Sequence, residues 1–203
     1  SITSDPAILL EPANQSMLQQ LLLKEQIPSD KPLIGISVRK WKNCNFIDDI
    51  AALADYCSHK FNAHTVLIPM QFPGDCDLSV LIQKKMTCSS SVIKRIYAPE
   101  ILLAFTGKLE LLIGMRLHSL IYAASQCVPL VGLVYEPKVD AFLNEINQPS
   151  AGCMDNLDLE LTKSIVNNVW ENRSAICESL KKSKVHLCNM AKSNIEQAYL
   201  LIE

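Results

Sequence analysis

The sequence predicts an α/β fold, a Rossmann-like doubly wound parallel sheet, from three observations. Its strand-like segments, such as "LIGISVR" (33–39), "LELLIG" (109–114) and "PLVGLVY" (129–135), are nearly continuous apolar runs. Strands that alternate apolar and polar residues leave one face in water, whereas continuous runs are buried on both faces, as in parallel sheets. Each run is also followed by a stretch with helical spacing of its apolar residues, the alternation that builds crossover units. Finally, 203 residues at 49% hydrophobic content suffice for one sizeable core.

In chain order, Lys31-Pro32 opens the first strand, and "FIDDIAALADYCSHKF" (46–61) follows as a helix with Ile47, Ile50, Ala51, Ala54 and Cys57 on one face. "AHTVLIPM" (63–70) is a second strand closed by Pro69, and "DLSVLIQKKM" (77–86) is helical. "SSVIKRI" (90–96) is strand-like, and "PEILLAFTGK" (99–108) is a short helix with Pro99 in its first turn. Strand "LELLIG", helix "MRLHSLIYAASQC" (115–127), strand "PLVGLVY" and helix "KVDAFLNEI" (138–146) complete the sheet domain. Asp158 is placed to cap a helix over "DLELTKSIVNNVW" (158–170). A last helix runs from about Ser174 to Ile202, with the stripe Ile176, Leu180, Leu187, Ala191, Ile195, Ala198, Ile202. The expected organisation is a crossover or linker segment at 1–30, the Rossmann-like domain at 31–157, and trailing helices at 158–203.

Charge and cysteine usage remove several function classes. The 19 basic and 21 acidic residues nearly cancel, and Lys181, Lys182 and Lys184 read as a solvated helix face, so no nucleic-acid partner is expected. No apolar run reaches the ~18–20 residues that span a bilayer. The eight cysteines form no CxxC pair and sit in helix-like or strand-like sequence, which suits a reduced, cytoplasmic protein and no metal site.

The chemistry concentrates in "LELLIGMRLHSLIYAASQCVPLVGLVYEPKVDAF", residues 109–142. Gly114 lies where a strand turns into a helix, so Arg116 falls in the first turn, where the macrodipole favours anions over cations. An anion bound between them would relieve the mismatch. His118 shares a helix side with Tyr122 and Ser125, away from the apolar face of Leu117, Leu120, Ile121 and Ala124. Arg39 and Lys138 each follow a predicted strand, so all four basic groups could ring the edge where such sheets bind ligands. Together they suit a multiply charged anion such as a phosphorylated acid. Taken singly, Arg116 could pair with Glu110 or Glu136, Lys138 could cap a turn, and His118 could be a hydrogen-bonded structural residue.

The stretch "IGMRLHSLIYAASQCVPLVGLVYEPKVDAFL" (113–143) resembles the C-terminal signature of polysaccharide pyruvyl transferases, the group that includes the bacterial cell-wall enzyme CsaB, with Ser119 where alanine is usual. "GISVRKW" (35–41), "LIPMQFPGDCD" (67–77) and "TSDPAILL" (3–10) also resemble segments of that family. The resemblance implies a domain similar to the C-terminal half of a GT-B fold, partnered by an N-terminal domain that this chain does not contain. It implies transfer of a pyruvyl group from phosphoenolpyruvate to two hydroxyls of a glycan or lipid-linked oligosaccharide, as a cyclic ketal. It places Arg116 and Lys138, and more weakly Arg39, on the donor, and His118 in donor binding or general acid work. Phosphoenolpyruvate is then the donor substrate, with no separate cofactor and no metal. A lipid-linked acceptor would bring peripheral membrane association. Two alternatives stand beside this: a nucleotide-sugar glycosyltransferase or epimerase, with Glu136 as the ribose carboxylate, and a phospho-ligand-binding module without catalysis.

Overall fold

The computed structural model describes residues 4–42 and 46–200, with side chains to residue 193. The six strands are β1 (Leu33–Ser37), β2 (His64–Leu67), β3 (Ser90–Val92), β4 (Leu109–Gly114), β5 (Leu130–Val134) and β6 (Ser150–Cys153). All pair in parallel, in the order β3-β2-β1-β4-β5-β6. The order reverses between β1 and β4, whose register sets Ser37 opposite Gly114 at the carboxyl edge. Among the described residues, no helix is long and apolar enough to cross a membrane.

Helices cover both faces, as continuous apolar strands require. On one side α2 (Ile47–Phe61), α3 (Gly74–Lys85) and α7 (Leu159–Glu171) bury Ile50, Leu53, Leu78, Ile82, Val166 and Val169 against Ile34, Ile36 and Leu111. On the other, α1 (Gln15–Lys24), α4 (Pro99–Thr106), α5 (Leu117–Ser125), α6 (Pro137–Glu145) and α8 (Arg173–Leu200) bury Leu18, Leu21, Phe105, Leu120, Leu143 and Leu187 against Leu33, Val66 and Leu112. Asp158 accepts a hydrogen bond from the Leu161 amide at the start of α7, the cap expected from sequence. The described cysteines are all free thiols, and burial pushes that of Cys57 up to about 12.

The structure adds to the sequence expectations in three places. Residues 4–30, expected as a crossover or linker segment, carry a 3₁₀ turn at Pro6–Leu9 and α1, whose Leu18 and Leu21 join the core. Asn14 caps α1 by accepting from the Met17 amide, and that cap lies inside the segment taken as a linker. The strand expected over 90–96 stops at Val92, because the Lys94 and Arg95 amides turn away to bond the Glu25 carboxylate. Strand β6, "SAGC", was not anticipated; its small residues carry little β propensity, and pairing with β5 supplies it. In the terminal helix Leu180, Leu187 and Ala191 are buried, while Ile195, Ala198 and Ile202 lie beyond the described side chains, as does Cys44.

Candidate functional site

In a doubly wound sheet the strands on either side of the reversal send their crossover helices to opposite faces, which opens a crevice at their carboxyl ends. Here that crevice lies beyond β1 and β4, and a cavity of about 210 Å³ occupies it, lined by Arg39, Lys40, Gln71, Phe72, Asp75 and Arg116 among others. Arg39 leaves the end of β1, and Arg116 is the residue just before the first turn of α5. Arginine has no acceptor with which to cap a helix, and α5 indeed has no side-chain cap at its start. The Leu117 and His118 amides belong to that first turn, where a helix points unsatisfied donors at its ligand. Gly114 permits the close approach: a Cβ there would lie 2.7 Å from Leu120 Cδ2 and 3.0 Å from Ser119 Oγ.

Two further polar groups at this edge are buried with no hydrogen-bond partner among the described residues: the Ser37 hydroxyl, at the last position of β1, and Arg39 Nε. Ser37 is fully buried. A buried donor left unpaired costs roughly 1–3 kcal/mol, so both argue for a polar occupant.

Sequence reasoning missed the partner of Arg116. It is neither Glu110 nor Glu136 but Asp75, which takes Arg116 Nε at 2.9 Å and Nη2 at 2.6 Å in a two-point pair. Asp75 also accepts from the Met70 and Gln71 amides, and Nη2 reaches Gln71 Oε1 at 2.8 Å. Asp75 is 2% exposed and sits in the first turn of α3, where the macrodipole suits its charge. The pair fixes the guanidinium plane. Among the described residues only Nη1 is left without a hydrogen bond. No local pattern links positions 75 and 116; the segment "PMQFPGDCD" had pointed to the region but not to the residue.

The other anticipated residues are at the same edge but not in the same cavity. Lys138 lies in the first turn of α6, one strand further along, with Nζ 3.1 Å from Glu136 Oε1. Glu110, the other acid weighed for Arg116, pairs instead with Arg173. His118 turns toward the amino-terminal segment: its Nε2 is 3.7 Å from Asp5 Oδ2, and its side chain is 59% exposed. Arg39 is tied to the Lys138 side through Tyr135. Its Nη1 donates to the Tyr135 hydroxyl at 3.2 Å, and its guanidinium lies 5.1 Å from that ring's centroid. Burial would raise the Glu136 pKa, but hydrogen bonds from Tyr135 and Lys138, and then the Lys138 and Arg39 charges, hold it below the usual range. Arg39 thus bonds Tyr135 just past β5, next in sequence to the Glu136–Lys138 ion pair. Arg39 and Arg116 converge, Lys138 is linked to them indirectly, and His118 faces a separate part of the rim. Among the described residues no group of histidine, cysteine and carboxylate side chains is arranged to hold a metal ion.

A sequence model of the polysaccharide pyruvyl transferase family matches residues 1–137, which include β1, the Asp75 segment and the whole Gly114–His118 turn. The chain belongs to that family. No curated protein matches it. Solved structures similar to this family member include UDP-GlcNAc 2-epimerase from Neisseria meningitidis bound to UDP-GlcNAc, with a TM-score of 0.68 at 14% identity over 93% of this chain and 50% of that one. A glycosyltransferase from Rickettsia africae gives 0.64 at 12% identity, over 98% of this chain and 54% of that one. The C-terminal domain of the group 1 glycosyl transferase family protein LpcC from Francisella tularensis gives 0.59 at 16% identity, over 90% of this chain and 95% of that domain. These likenesses establish the fold, the Rossmann-like half of a GT-B architecture. This pyruvyl transferase family chain spans about half the length of the first two.

Proposed function

We propose that the chain is the donor-side half of an enzyme that transfers a pyruvyl group from phosphoenolpyruvate to two hydroxyls of a sugar residue. The observation that carries this reading is the pairing of Arg39 and Arg116 in one cavity at the β1/β4 crevice, beside the uncapped start of α5 and the buried Ser37 hydroxyl. Phosphoenolpyruvate has a phosphate and a carboxylate, so it needs several donors fixed in direction. Arginine supplies two-point contacts to such groups, and Asp75 holds Arg116 in one orientation.

The chemistry requires a proton on the methylene carbon of the enol, which leaves the central carbon electron-poor. One sugar hydroxyl bonds to that carbon; the bond to the phosphate oxygen breaks, and phosphate departs with the electron pair. The second hydroxyl then closes the ketal. Of the two hydroxyl protons, one balances that taken by the methyl group and the other leaves with phosphate. His118, near the rim and solvent-accessible, is the candidate proton donor. Arg39, Arg116 and Lys138 hold the donor's negative groups. A polysaccharide or lipid-linked oligosaccharide is the acceptor, and an N-terminal partner domain supplies its binding surface.

Titration of the chain with phosphoenolpyruvate, followed by amide chemical shifts, tests the donor site. Shifts in 37–39 and 114–118, with at least about tenfold weaker binding in Arg39→Ala and Arg116→Lys, are expected. A preference for UDP-sugars over phosphoenolpyruvate at these residues would replace this reading with a nucleotide-sugar one.

A further inference from the structure

Away from the β1/β4 crevice, a groove of about 970 Å³ runs from the amino-terminal edge of the sheet along the edge strand β3. The end of α2 forms one wall, the Gln26–Lys31 connection another, and the segment Thr87–Ser91 its base. Its surface is polar, and no phenylalanine, tyrosine or tryptophan lines it. Exposed Ser89 and Asn62 offer their side-chain polar groups to it, while Ser58, Thr87 and Gln83 are bonded internally to Thr65, Asp55 and the Ser90 carbonyl. The Ser90 hydroxyl is buried with no hydrogen-bond partner among the described residues.

The charge of the groove runs against that of the chain, which is −2 overall. Lys24, Lys31, Lys94 and Arg95 face only two carboxylates, Asp30 and Glu25. Glu25 is spent internally: it accepts from the Lys94 and Arg95 amides and from the Tyr97 hydroxyl, and its Oε1 lies 3.9 Å from Arg95 Nη1, which leaves the three lysines facing Asp30. Arg95 is held by the Lys24 carbonyl at 2.7 Å, which fixes its guanidinium at the rim. A volume at the upper end of the range for ligand pockets, a polar rim with exposed Ser89 and Asn62, and surplus lysines together describe the complement of an acidic polyol.

We propose that this groove binds an acidic oligosaccharide. This rests on the transfer reading above, because each pyruvyl ketal adds a carboxylate to the glycan. The already modified part of a long acceptor then has a cationic, polar surface to lie on, away from the reacting edge. The groove would act as an anchor that keeps the polymer associated between transfers.

The test uses the whole chain and three probes: a galacturonate oligosaccharide, a neutral dextran oligosaccharide of similar length, and inorganic phosphate. Binding is read by calorimetry and by the imidazole signals of His59 and His64, which line the groove. The galacturonate probe is expected to bind, and to bind roughly tenfold more weakly in the double variant Lys31→Glu/Lys94→Glu. Both lysines project from the surface, so their reversal leaves the core intact; circular dichroism checks this. Arg116→Lys should leave the oligosaccharide titration unchanged. Equal binding of dextran, binding of phosphate alone, or indifference to the lysine reversal overturns the proposal. Failure of phosphoenolpyruvate to bind at the β1/β4 crevice, with galacturonate binding intact, counts against the transfer reading alone.

Discussion

Arg116 and Asp75 form the tightest charged pair of the site, with side chains 18% and 2% exposed. Removing one partner of so buried a pair strands the other charge, at a cost of about 3 kcal/mol. Arg116→Ala and Asp75→Asn should each lower stability by about that amount, and the double variant should fall well short of the sum. Urea unfolding of the four proteins measures the coupling; simple additivity would mean that the two side chains act independently. Asp75 was unreadable for a reason the pair makes plain. A carboxylate in the first turn of a helix is explained by that helix alone, so nothing in "GDCDLSV" asked for a partner 41 residues away. His64 gives a second residue-level test. Burial, and then the nearby Lys31 ammonium, hold its pKa below the ordinary 6.5. The unfolded chain therefore takes up the proton first. The stability contributed by neutral His64 is complete above a pH of about 6.5 and is lost as pH falls through the lower folded value. Urea midpoints at a pH of about 5 and about 7.5 should differ less in His64→Gln than in the parent.

At the scale of elements, the site is a property of where strands stop and helices start. Gly114 ends β4 against Leu120 and Ser119, and this close approach brings the first turn of α5 down onto Ser37 at the neighbouring strand end. Gly114→Ala forces a Cβ within 2.7 Å of Leu120 Cδ2, in a packed interior. A loss of about 1–3 kcal/mol is expected, together with weakened phosphoenolpyruvate binding. Denaturant unfolding and the titration measure both effects; a stable variant with unchanged binding would show that the approach is incidental. This edge was the most legible part of the chain. Continuous apolar runs gave the parallel strands, and Arg39, Arg116 and Lys138 fell at the ends of β1, β4 and β5. Their convergence was not legible. Strand ends 4.7–4.9 Å apart still let long side chains choose different neighbours, and Lys138 chose Glu136 while His118 turned toward Asp5. Those choices depend on residues brought in from elsewhere in the chain, and so on the tertiary fold.

Over the whole molecule, the described end of the chain folds back on its start. Helix α8 packs against α5 and the 3₁₀ turn Pro6–Leu9, with Leu187 1% exposed and Cys188 Sγ donating to the Ile8 carbonyl. Leu187→Ala should cost about 2–5 kcal/mol. Because the turn it supports begins beside Asp5, the His118 signal should also move, although position 187 is far along the chain from 118. Thermal unfolding and the imidazole spectrum measure the two effects; a destabilised variant with an unmoved His118 signal would separate the clamp from the site.

The same clamp orders events during folding. Asp5 stands before His118 on a turn that packs against both α5 and α8, and α8 begins only at Arg173. Contacts between such distant parts of a chain form late, so the parallel strands come together before the histidine gains its acidic neighbour.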